Sequence, residues 1–202
     1  YDIVQLEDNG YMVVGSRDRY SNGSKNGLLI RLNNKGELIW EKELIGEDQT
    51  SEIIFSVDID RKNNLFVCSS VNGEDNLSIY KPKIIKMDLA GNIIWERTYE
   101  MHGNDFHQFK AKLTPNDDII IVGSSVNYMM NKPSSDASIN KIDSNGNLLW
   151  SKPFGSMDED DIGWSVFEKR NGKIIMIGST KSFDASLYDI YLIITNSDGS
   201  NN

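Results

Sequence analysis

The chain has 202 residues, 39% of them hydrophobic and 25% charged, which is ordinary globular usage and long enough to bury a core. Its 21 Lys and Arg against 30 Asp and Glu leave a net charge of -9, so nucleic acid is a poor default partner, because phosphate neutralisation needs clustered cations. A single Cys excludes an internal disulfide framework and a cysteine-based zinc site, and no stretch reaches the ~20 apolar residues of a membrane span.

The sequence opens at Tyr1 without a Met, and Tyr1–Leu6 already reads as strand, so a piece of a longer gene product is expected and no leader can be read from it. Predicted strands then come in groups of four. The first group is Ile3–Leu6, Tyr11–Ser16, Leu28–Leu32 and Leu38–Glu43. The second is Ile53–Ile59, Leu65–Ser70, Lys83–Met87 and Ile93–Thr98, and the third Phe106–Leu113, Ile119–Ser124, Ser138–Ile142 and Leu148–Pro153. The fourth has three strands, Ile162–Glu168, Ile174–Ser179 and Tyr191–Thr195, with the outer one missing. The second strand of each group is a near-continuous run of Ile, Val and Met, as expected of strands buried on both faces. Asn-Gly, Asp-Gly and Lys-Gly pairs supply turn chemistry between runs, and no stretch keeps a 3.6-residue period long enough for a helix.

An internal repeat organises these groups. Trp40, Trp95 and Trp150 are spaced by 55, and each follows a glycine by four: Gly36, Gly91 and Gly146. Gly199 begins a fourth copy. A second marker runs in step as Val14-Gly-Ser16, Val67-Cys-Ser69, Val122-Gly-Ser124 and Ile177-Gly-Ser179. Four short antiparallel strands per repeat of this length is the signature of an all-β β-propeller, in which a blade with two apolar faces hides both by stacking on its neighbours. The expected blades are 1–43, 53–98, 106–153 and 162–202 of one propeller domain or fragment, read as four blades of a larger ring, with a closed four-blade ring as the alternative. The three tryptophans are expected to be equivalent, largely buried plugs, and Cys68 an inert buried thiol in the place of a glycine.

These motifs resemble a propeller repeat of secreted and surface proteins of bacteria and archaea, similar to the quinoprotein-dehydrogenase-like propellers. The unit that carries the resemblance is Trp150-Ser-Lys-Pro-Phe-Gly, Asp160-Asp-Ile-Gly-Trp-Ser-Val, Asn171-Gly-Lys-Ile-Ile-Met-Ile-Gly-Ser, Asp189-Ile-Tyr-Leu-Ile and Asp198-Gly. The segment Asp88–Trp95 is similar to a tryptophan-docking motif but one residue shorter before its glycine, and its spacings are one longer than those of a sialidase Asp-box. The resemblance implies a fold and an extracytoplasmic location (periplasm, cell surface or medium), and specifies no reaction.

Strand alternation puts the first-to-second and third-to-fourth turns at one end of each blade. These are short and lean basic, with Lys35, Arg61, Lys62, Lys169, Arg170 and Lys173. The long, irregular connections lie at the other end, with most of the acids and several aromatics, and binding residues concentrate on such loops. A protein or carbohydrate ligand is expected there, held by Tyr80, Tyr128 and Tyr188 as an aromatic arc and by Asp105, Asp160 and Asp161 as acceptors. Each has a plain alternative as a brace for its own loop. Asp158 and Asp160, in Met157–Asp161, have the alternate spacing that Ca²⁺ uses but lack a full loop signature. His102 and His107 with Asp105 are a still weaker metal set. No cofactor is expected. Nucleophile-elbow, zinc-hydrolase, phosphate-loop and Cys-x-x-Cys motifs are absent, so the expected function is non-catalytic binding. The alternative is part of a quinoprotein-like or glycoside-acting propeller enzyme.

Overall fold

The computed structural model describes residues 1–18, 24–45, 50–73, 76–101, 105–126, 134–156, 159–185 and 187–201, with the backbone alone at 73, 76–79 and 105–109. The strands are β1 (Asp2–Gln5), β2 (Tyr11–Asp18), β3 (Lys25–Leu32), β4 (Leu38–Leu44), β5 (Glu52–Ile59), β6 (Leu65–Gly73), β7 (Asn76–Met87) and β8 (Ile93–Thr98). They continue as β9 (Asp105–Leu113), β10 (Ile119–Val126), β11 (Ser135–Ile142), β12 (Leu148–Phe154), β13 (Asp161–Glu168), β14 (Ile174–Thr180) and β15 (Asp189–Thr195). They pair in sequence order into three four-stranded antiparallel sheets, β1–β4, β5–β8 and β9–β12, and a three-stranded one, β13–β15. The chain divides into two compact units, Tyr1–Tyr99 with the first two sheets and Glu100–Asn202 with the last two.

Each unit is a pair of stacked sheets. In the first, Met12, Val14 and Leu29 of the first sheet share a buried cluster with Leu65, Val67, Ile85 and Met87 of the second. In the second, Ile120, Val122, Ala137 and Ile139 of the third sheet share one with Val166, Ile174, Met176 and Ile193 of the fourth. In each unit the first sheet thus lays one face on the second. β10 is buried at seven of its eight positions, which is why its sequence is a run of Ile and Val rather than an alternation.

The short ends are made of one turn used eight times, opening at residues 6, 33, 60, 88, 114, 143, 169 and 196. In each, the opening residue donates its N–H to the carbonyl four residues on and accepts from the N–H three residues on. The fourth position is left-handed in every copy. Asn9, Asn63, Asp117 and Gly172 fill it between first and second strands, and Gly36, Gly91, Gly146 and Gly199 between third and fourth. Where an aspartate opens the turn it also caps it. The Asp88 carboxylate accepts from the N–H of Ala90 and Asn92 at 2.9 and 2.8 Å and from the Asn92 side chain at 2.9 Å. That side-chain bond first, then the backbone donors, hold the Asp88 carboxyl below its ordinary pKa.

The tryptophans grip these turns. The Trp40 indole N–H donates to the Leu89 carbonyl at 3.3 Å, and that of Trp150 to the Ser197 carbonyl at 3.2 Å. Lys42 and Lys152 follow suit on the carbonyls of Gly91 and Asp198 at 2.6 and 3.0 Å. Trp95 meets the Phe66 ring edge-on at 6.0 Å. All three are half-buried rather than fully buried. The indole lies on the outermost strand with one end in the sheet stack and its N–H at the rim, as an amphipathic ring does.

Two further expectations change. The strands run longer than their apolar cores towards the irregular end, where Arg17 pairs Asn26 and Asp18 pairs Lys25. Cys68 does not stand in the glycine place. Counted from the turn, and across a first-strand bulge common to these sheets, Cys68 pairs Ser56 as Ile177 pairs Ser165 and Val122 pairs Lys110. Cys68 is thus the counterpart of Val14 and Val122, and Ser69 of the glycines. Cys68 is buried.

Candidate functional site

At the irregular ends, the second and fourth sheets open on a buried acid. Glu52 begins β5 opposite Val71, and Asp161 begins β13 opposite Thr180, two residues beyond the equivalent Ser69 and Gly178. Their surroundings differ. Glu52 accepts from the Ser69 hydroxyl at 2.8 Å and from Lys83 at 3.3 Å. Lys83 also pairs with Glu96 at 2.9 Å. Burial pulls the Lys83 ammonium down, but the two carboxylates outweigh it and its pKa stands above the ordinary lysine value. In the fourth sheet the counterpart of Lys83 is Tyr191, so at that position Asp161 meets a phenol in place of an ammonium. Its Oδ2 accepts from the Ser182 hydroxyl at 2.7 Å and the Ser156 N–H at 3.2 Å, while its buried Oδ1 has no partner. Burial first, then the Asp161 and Asp136 carboxylates, push the Tyr191 phenol upward. Gly155 has φ +148°, and a side chain there would run into the Asp161 carboxylate, so the backbone closes tightly over this acid.

Asp160 lies beside it at the rim. Its carboxylate accepts from the Ser135 N–H and hydroxyl, both at 3.2 Å, and from Lys181 at 3.0 Å. The Lys181 bond leads in lowering the Asp160 pKa, and the same bond leads in raising that of Lys181. The Lys181 ammonium sits 4.5 Å from the centre of the Tyr188 ring, covering one ring face. Tyr188 is 51% exposed, and Phe183, in the same β14–β15 connection, is 69% exposed. Phe183 and Asp184 are both left-handed, at φ 60° and 64°. For a bulky aromatic this backbone is strained, on the order of 1–3 kcal/mol, and strain of this kind clusters at ligand sites. The Phe183 ring leans on Tyr191 at 5.8 Å.

Of the six residues expected to bind ligand, Asp160, Asp161 and Tyr188 share this end of the fourth sheet. Tyr80 lies within β7, paired with Asn72, because the hairpin continues through what reads as a loop, and it belongs to the first unit. Tyr128, Asp158 and His102 fall outside the described residues, as do the side chains of Asp105 and His107. Among the described residues, no three His, Cys, Asp or Glu side chains come together as a metal set. Lys181, Ser135, Ser156 and Ser182 are site residues with no sequence signal of their own. At the opposite end, Arg31, Lys86 and Lys141 form a repeated cation spaced by 55 and visible in the sequence. Arg31 pairs with Asp8, Lys86 with Asp60 at 3.3 Å, and Lys141 with Glu168 at 3.0 Å.

No protein-family model matches the chain, and no curated protein matches it. Solved structures do. The chain is similar to a protein of unknown function from Dyadobacter fermentans DSM 18053, with TM-score 0.64 and 13% identity over 95% of this chain and 51% of that one. It is also similar to the endo-arabinase of Bacteroides thetaiotaomicron VPI-5482, with TM-score 0.55 and 12% identity over 96% of this chain and 73% of that one. The chain thus spans about half the length of the Dyadobacter protein. At such identities the likeness shows the fold: the sheets are blades of an all-β β-propeller.

Proposed function

We propose that this chain is a non-catalytic β-propeller module, displayed outside the cytoplasm, that binds a glycan at the irregular end of its blades. The observation that carries this reading is the β14–β15 connection. It holds Phe183 in a strained backbone and presents it and Tyr188 to solvent beside the Lys181–Asp160 pair. Exposed aromatic rings next to fixed donors and acceptors suit a sugar, whose C–H face stacks on a ring while its hydroxyls bond to charged groups. Lys181 already covers one face of Tyr188, which leaves the other face and Phe183 for stacking. The fold likeness to an endo-arabinase adds weak support for a carbohydrate ligand. The reading invokes no cofactor; Asp160 holds Lys181 through one oxygen and Ser135 through the other.

A glycan array with wild type and a Phe183→Ala, Tyr188→Ala double variant tests it. Wild type should bind a defined set of glycans, and the double variant should lose at least about tenfold in affinity, the stacking energy of one to two rings. Equal binding by both would remove this end as the site. Hydrolysis of an array-positive glycan, or quinone-dependent oxidation of one, would replace the reading with the glycoside-acting or quinoprotein-like enzyme.

A further inference from the structure

The two units fill the same three positions differently. Register equates Asn26, Glu52 and Lys83 of the first unit with Asp136, Asp161 and Tyr191 of the second. In the first unit these are an amide, an acid and a base, and the Lys83 ammonium lies 3.3 Å from the Glu52 carboxylate. In the second they are two acids and a phenol, so the built-in cation is gone and a second carboxylate has joined the first.

The two carboxylates flank one point. A Cβ on Gly155 would collide with Asp161 Oδ2 and stand 3.2 Å from Asp136 Oδ1. Both act on the Tyr191 phenol, whose pKa burial and then these two charges push up. Asp161 is 0% exposed, and its Oδ1 has no hydrogen-bond partner among the described residues. A buried carboxylate oxygen left bare is costly unless something positive meets it. Asp136 and Tyr191 are only half-buried, which gives the point a side towards solvent. The side chains gathered here offer oxygen alone: two carboxylates, the phenol, and the hydroxyls of Ser182, bonded to Asp161, and Ser156, bonded to Ser182. Such hard donors, without imidazole or thiolate, suit Ca²⁺, which completes its shell with carbonyl and water oxygens and so needs no third acid. Two carboxylates match its charge. We propose that Asp136 and Asp161 hold a Ca²⁺ ion between the third and fourth sheets, in the role that the Lys83 ammonium fills beside Glu52. The pair is not the Asp158 and Asp160 alternation of the sequence, since Asp160 is engaged by Lys181 and Ser135.

Calcium titration of the chelator-treated protein tests this, read by calorimetry and by melting temperature. Wild type should bind Ca²⁺ at a site that Asp136→Asn and Asp161→Asn each weaken at least about tenfold, since affinity follows the count of charged ligands. Glu37→Gln, which removes an exposed acid from a short turn of the first unit, should leave that affinity unchanged. In chelator Asp161→Asn should melt no lower than wild type, and in about 1 mM Ca²⁺ wild type should melt higher, a reversal that a merely structural acid does not give. Circular dichroism confirms the sheets in each variant, and two positions guard against one disturbing the fold. Folded wild type that binds no Ca²⁺ up to about 10 mM overturns the proposal. So does binding that both folded variants keep, or that Glu37→Gln weakens as much, which would mark only the diffuse counterions of an acidic chain.

Discussion

At the scale of single residues, the recurring glycines do two jobs that substitution can separate. At Gly36, φ is +80° and a Cβ would meet nothing within 4 Å. Gly36→Ala therefore costs only the left-handed backbone term, about 1 kcal/mol. At Gly199 the same backbone is combined with a Cβ 2.9 Å from the Trp150 ring and 3.0 Å from Lys152. Gly199→Ala must also push the indole off its turn, and denaturant titration should place its loss at about twice that of Gly36→Ala or more. Cys68 offers a second test, of register. Because it stands where Val14 and Val122 stand, Cys68→Val should stay within about 1 kcal/mol of wild type. Cys68→Gly should lose about 2 kcal/mol or more through the cavity and the looser strand. The opposite ranking would restore the alignment that the sequence markers suggest. That alignment misplaces Cys68 because Val67 and Ser69 mimic the marker one residue early, whereas the turn sets Leu65 opposite Ile59 as it sets Ile174 opposite Glu168.

At the scale of elements, the two buried acids predict opposite responses to neutralisation. Glu52→Gln takes a charge from a lysine that is itself largely buried, and should destabilise by about 2 kcal/mol, the remaining Glu96 limiting the loss. Asp161→Asn keeps an acceptor for Ser182 and removes a buried carboxyl that pairs with no cation among the described residues, so its melting temperature in chelator should match or exceed that of wild type. A large loss would mean that Asp161 has a partner contributed when the site is filled. Much at this scale could be read in advance. The 55-residue spacing of the tryptophans fixes four blades, and the apolar runs locate the core of every strand. The strand ends could not be, since Arg17, Asp18, Lys25 and Asn26 are held by backbone pairing and carry no apolar alternation. The meeting of Asp160 with Lys181 and Ser135 joins two connections 21 and 25 residues apart, and nothing in either segment announces it.

At the scale of the whole molecule, the charge pair at the rim sets a pH window for binding. The Asp160 carboxyl titrates below its ordinary value of about 3.9, and the Lys181 ammonium above its ordinary value of about 10.4. The pair is therefore mostly charged throughout the range between those two ordinary values. Its contribution to stability is present above the ordinary carboxylate value and fades as pH falls through the lowered one. Both groups are over a third exposed, so solvent and salt screen that contribution. Glycan affinity should be level from about pH 5 to 9 and fall in acid, and calorimetric titration across that range checks it. A midpoint near pH 6–7 would point to a histidine instead. The order of pairing has a consequence for synthesis. Every sheet is closed by neighbours in sequence, so a blade's hydrogen bonds need no segment still inside the ribosome. The indole latches are different. Trp40 must wait for Leu89, 49 residues downstream, and Trp150 for Ser197, 47 downstream. As the chain emerges, the first and third blades thus stay provisional until the second and fourth have been made, each settling when one tryptophan finds its turn.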